Sequence, residues 1–170
     1  MTGDLRFSWE LAGSGWARYR IADAASERVG IASYCTDALS DLLRAVARLY
    51  EATDAARFSF DLEPDEVRWR LQPQGVDVKI DILRFPDMTQ SWNVPDDEGA
   101  RCWSSTQSRA ALSHVVLEAA ETVLRLHGEA GYREKWVQHD FPGAALDDLR
   151  QLHRRDDGCR QESCRVNGHS

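Results

Sequence analysis

At residues 153–170 the sequence reads HRRDDGCRQESCRVNGHS, which places His153, Cys159, Cys164 and His169 six, five and five positions apart. Imidazole and thiolate are the ligands zinc prefers, usually four of them brought together by short spacings. Gaps of four intervening residues sit at the loose end of that pattern. Between the ligands lie Arg154, Arg155, Asp156, Asp157, Gln161 and Glu162, with Val166 the one aliphatic residue. A zinc knuckle packs apolar side chains over its metal, and this stretch offers almost none. The spacing therefore reads as a flexible polar tail over 154–170 rather than a metal centre. No metal and no cofactor is expected.

The other histidines, His114, His127 and His139, are scattered, and His127 suits the negative end of a helix dipole. Cys35 and Cys102 each precede a helical pattern, where a thiol can become acidic, although most such cysteines are small core residues. The sequence contains no glycine-flanked nucleophile, phosphate loop or paired metal-binding helix motif. It names no catalytic residues.

Arginine offers a second kind of chemistry. Arg18, Arg20, Arg68 and Arg70 fall on the outward parity of two strands, where they could clamp a phosphate or carboxylate. The simpler expectation pairs them across strands with Glu10, Asp61, Asp77 and Asp81. Two connecting stretches carry aromatics beside charge, the mixture that recognition surfaces use. Residues 85–103 hold Trp92 and Trp103 around the acidic Asp96, Asp97 and Glu98, and residues 128–142 hold Tyr132 and Trp136. These seven residues are the candidates for contact with a partner.

The elements that must position these groups repeat along the chain. RFSWEL (6–11) returns as RFSFDL (57–62), ARYRI (17–21) as VRWRL (67–71), and ALSDLL (38–43) as ALSHVV (111–116). Three matches in one order point to a tandem strand-strand-strand-helix duplication, with pseudo-repeats at 5–51 and 56–127. Period-two alternation makes Leu5, Phe7, Trp9 and Leu11 one face of a half-buried strand, and Phe58, Phe60 and Leu62 another. Helical spacing marks 37–51 and 108–127, and a shorter helix is expected after Asp140-Phe141-Pro142. The expected fold is α+β: one mostly antiparallel sheet of six to eight strands, two pseudo-equivalent helices on one face, and a short C-terminal helix, in a single domain over 1–153.

The stretches FSWELAGSGWARYRI, SYCTDALSDLLRA and GYREKWVQHDFP resemble a group of small actinobacterial proteins over residues 5–152. No activity attaches to that group, so the resemblance implies an intracellular bacterial domain and brings no catalytic residues. Composition agrees: 170 residues suffice for a core, and no apolar run approaches a membrane span or export signal. The location expected is cytoplasmic. A formal charge of -7 repels phosphate backbones, which argues against nucleic acid as partner. The expected function is a non-enzymatic protein-binding module, in one version an immunity-type protein neutralising a basic partner. The alternative is a small enzyme or ligand-binding domain using the sheet arginines or a cleft beside 85–103.

Overall fold

The computed structural model describes residues 4–159 and, at Trp92, the backbone alone. Seven strands and three helices follow in the order β1 (Arg6–Gly13), β2 (Trp16–Ala22), β3 (Glu27–Ser33), α1 (Ala38–Arg48), β4 (Ala56–Asp61), β5 (Glu66–Gln74), β6 (Asp77–Phe85), β7 (Ala100–Ser108), α2 (Arg109–Trp136) and α3 (Gly143–Asp157). The fold is α+β, and the strands are antiparallel throughout. They form two sheets, β1-β2-β3 and β4-β5-β6-β7, rather than the single sheet expected from sequence. Alternation dictates which side chains point inward; it carries no information on whether β3 hydrogen-bonds to β4.

The inner faces of the two meanders meet through aromatic rings. Trp9 and Tyr19 of the first sheet lie 5.6 and 5.5 Å from the Phe60 ring of the second. Tyr19 also stands 5.5 Å from Trp69. Offset and edge-on aromatic contacts of this kind add roughly 0.5–1.5 kcal/mol each beyond the area they bury. The seam requires one glycine. A Cβ built on Gly30, opposite Tyr19 in the β2–β3 ladder, would sit 2.3 Å from the Tyr19 hydroxyl.

α1 turns Leu39, Leu42, Leu43 and Val46 into this core at helical spacing. α2 starts at Ser108, whose Oγ accepts the Ala111 N–H at 3.0 Å as an N-cap. It was expected to stop at Gly128, and the backbone does leave helical geometry there (φ 65°, ψ 173°). The chain then turns helical again as far as Trp136. α3 runs to Asp157, so Arg154–Asp157 belong to the folded body and the polar tail cannot begin at 154. Cys164 and His169 lie outside the described residues. Among those described, no helix is long and apolar enough to cross a membrane.

Candidate functional site

Each meander has an outer face, and the two are finished differently. On the second sheet the registers set Arg57 opposite Arg70, Arg70 opposite Asp81 and Asp81 opposite Ser104, a polar row across four strands. Beside it, Arg68 stacks over the Phe85 ring at 4.2 Å. Residues 86–99, including short 3-10 turns at Ser91–Asn93 and Asp96–Glu98, fold back over this face as a cap.

Arg68 pins the cap. Its guanidinium donates to the Ser91 and Val94 carbonyls at 2.9 and 2.8 Å, to Asp96 Oδ1 at 2.9 Å and to Glu66 at 3.0 and 3.1 Å. Asp96 also takes Arg57 at 2.6 Å and lies 3.3 Å from Arg70 Nε. Burial opposes ionisation of both carboxyls. Hydrogen bonds outweigh it, from Arg68, Ser59 and Ser91 at Glu66 and from Arg57 and Arg68 at Asp96, and hold both below the usual carboxylate range. Gly99 closes the cap against Phe85, whose ring would lie 2.7 Å from a Cβ there.

Between cap and sheet remains an open polar cleft of about 890 Å³, walled by Arg57, Arg70, Lys79 and Arg101 and by Asp41 and Asp61. Burial raises the carboxyl pKa of Asp41 and Asp61, assisted by Asp37 at the first and by Glu66 and Glu63 at the second. The cleft thus sets three arginines and a lysine beside carboxyls that take up protons more readily than usual.

The structure redistributes the residues expected to form a site. Trp103, Tyr132 and Trp136 are 4%, 0% and 0% exposed and belong to the core, so they cannot touch a partner. Tyr132 and Trp136 read as loop residues because Gly128 hid the helix that resumes after it. Asp96 faces inward onto the arginines, leaving Asp97 and Glu98 as the exposed acids of the cap. The Trp92 side chain lies outside what is described. The four arginines do not gather: Arg18 and Arg20 are exposed on the first sheet, Arg68 and Arg70 sit on the second under the cap. Two of them stand across strands from acids expected for them, Arg18 opposite Glu10 and Arg70 opposite Asp81, while other contacts satisfy Arg20 and Arg70. Arg20 Nε donates to Glu27 at 2.8 Å, and Arg70 to the Gln72 side chain at 2.9 Å. Cys102 lies inside β7, ahead of α2 but not at its N-terminus, while Cys35 is exposed with its thiol 3.6 Å from Glu63.

The outer face of the first sheet is the region sequence reasoning missed. Trp16, Val29 and Ile31 are 39%, 49% and 46% exposed, side by side on β2 and β3. Ile31 stands opposite Arg18 and Val29 opposite Arg20. The signal was present: Trp16 shares parity with the outward Arg18 and Arg20, and the residues alternating with Val29 and Ile31 are the small Gly30 and Ala32. No family model, curated protein or solved structure matches the chain.

Proposed function

We propose that the chain is a non-enzymatic protein-binding module whose contact surface is the outer face of β1–β3. The observation that carries this reading is the exposure of Trp16, Val29 and Ile31 on neighbouring positions of one sheet face, while the corresponding face of the second sheet is covered by the chain's own cap. Contiguous exposed apolar side chains mark interaction surfaces, and tryptophan flanked by arginine is the composition of binding hot spots. On this face Arg20 is satisfied by Glu27, and Arg18 stands opposite Glu10, so the patch itself is close to neutral. The whole chain carries -7. That field favours a basic partner, speeding its approach, while the apolar patch supplies the desolvated contact. Neutralisation of a basic protein is one form such a module takes.

The test is capture of basic proteins from the source cell by the wild-type chain and by a Val29→Asp/Ile31→Asp variant that keeps the same fold by circular dichroism. One basic protein held by the first and lost by the second is the expected result. Equal retention by both, or retention of single-stranded nucleic acid in its place, would remove the sheet face as a protein site.

A second reading rests on the cleft of about 890 Å³ and its arginines, which suit a small anionic ligand. Protection of β4–β6 amides by an added organic phosphate or dicarboxylate would favour it.

The tandem duplication is part of the same proposal. It is supported by the shared strand-strand-strand order that opens each unit and by the inward Tyr19 and Trp69 at matching places. The ladders are offset, however. Trp9 pairs with Tyr19, whereas Phe58, rather than Phe60, pairs with Trp69, a two-residue difference in register. The second unit also carries β7 in addition.

A further inference from the structure

Two ligands of the 153–170 stretch do come together, in company with a histidine that spacing did not suggest. His114 projects from α2, His153 from the last turns of α3, and Cys159 follows Gly158, whose left-handed backbone (φ 65°) ends α3. One ring nitrogen of each histidine and the Cys159 Sγ all lie within 4.8 Å of one another. Sγ stands 4.0 Å from His114 Nδ1.

The surroundings of His153 give this cluster its meaning. The residue is 1% exposed, and its Nδ1 lies 2.8 Å from Asp157 Oδ2. Asp157 also accepts from Arg109 at 2.8 Å and from the Tyr50 hydroxyl. A carboxylate at Nδ1 makes that nitrogen the protonated one and leaves the lone pair on Nε2. Nε2 is buried and has no hydrogen-bond partner among the described residues. A buried acceptor without a donor is costly unless something electrophilic answers it. A carboxylate behind a histidine that presents its other nitrogen is also the usual outer shell of a metal-ligating histidine.

We propose that His114, His153 and Cys159 bind a single zinc ion, with Asp157 positioning His153. Two imidazoles and a thiolate suit zinc and not magnesium or calcium, which take oxygen ligands. Donors on a tetrahedral zinc stand about 3.3–3.7 Å apart for bonds of ~2.0–2.3 Å. The separations here close to that range when the Cys159 and His114 side chains, both partly exposed, swing inward by about an ångström. The fourth position goes to water. The ion staples the end of α3 to α2, and it is independent of the binding face on the first sheet.

The experiment is titration of the full chain, freed of metal by chelation, with Zn²⁺ and with Co²⁺ as the spectroscopic probe. Binding of one ion per chain, tetrahedral cobalt bands with a thiolate charge-transfer absorption, and a higher melting temperature with metal are expected. Cys159→Ser should abolish the charge-transfer band, and His114→Ala should weaken binding at least tenfold; both positions are exposed enough for the variants to fold. His153→Ala should do the same where it folds. Cys164→Ser/His169→Ala leaves the three proposed ligands in place and should keep the affinity. Absence of stoichiometric binding would overturn the proposal. So would binding that survives Cys159→Ser and His114→Ala but disappears with the tail variants.

Discussion

The two sheets turn similar strands to opposite ends. Val29 and Ile31 on β3 stand in water, whereas Val78, Ile80 and Ile82 on β6, the matching run of the second meander, are fully buried. β6 is an inner strand, flanked by β5 and β7, and its aliphatic parity faces the core. β3 is an edge strand in which Gly30 yields its inward place to the Tyr19 ring, so the aliphatics fall on the outer parity. One outer face is polar and roofed by 86–99; the other is part apolar and lies open. A face that needs a roof acquires one from its own chain. The open face is where a second chain has room to settle.

The largest way to break this contrast is at the pin of the roof. Arg68→Ala removes the cation that answers Glu66 and Asp96 and leaves Glu66 buried without it, a loss of about 3–5 kcal/mol in urea denaturation. Hydrogen exchange should quicken over 88–99 and stay unchanged on the outer face of β2–β3. Acid should act on the same pin. Glu66 and Asp96 have folded pKa values below their unfolded ones, so their contribution is complete above the usual carboxylate pKa of about 4 and is lost as the pH falls below it. Exchange in the cap measured from pH 6 downward should therefore rise at the acid end before the first sheet responds.

Matched truncations sharpen the comparison. Ile80→Ala should cost about 2–5 kcal/mol by opening a cavity, while Ile31→Ala should stay within ~0.5 kcal/mol and alter binding alone. Equal losses would mean that Ile31 is packed and the face is not free. Gly30→Ala should cost about 1–3 kcal/mol, because the new methyl meets the Tyr19 hydroxyl. The smallest effect is expected at Arg57→Ala. Its half-exposed pair with Asp96 is worth less than about 1 kcal/mol, so the roof should hold.

The inward residues of β1, β2, β4 and β5 were legible because each strand alternates strictly, as in Phe58-Ser59-Phe60 or Val67-Arg68-Trp69. Helix α1 announced itself through Leu39, Leu42, Leu43 and Val46. β7 did not, since ARCWSSTQS offers a single large apolar residue, Trp103, and its place is set by pairing with β6. The split into two sheets was equally silent, being a matter of which strands become neighbours. The site was the least legible part. Asp96 looked like a surface acid and is spent on three arginines, and His114 joins His153 and, 45 positions along the chain, Cys159. Contacts between distant segments leave no periodic trace.

The Asp157 carboxylate has a consequence for the order in which this molecule can be made. Tyr50 follows α1, Arg109 opens α2, and both direct their polar groups to a residue in the last turn of α3. On the ribosome all seven strands and both earlier helices emerge before residue 157 does. Before that the Tyr50 hydroxyl and the Arg109 guanidinium, which in the folded chain also meet Ser113 and the Tyr50 ring, have no Asp157 carboxylate to join them. The polar junction of the three helices thus closes only once α3 has emerged, across a separation of 107 residues.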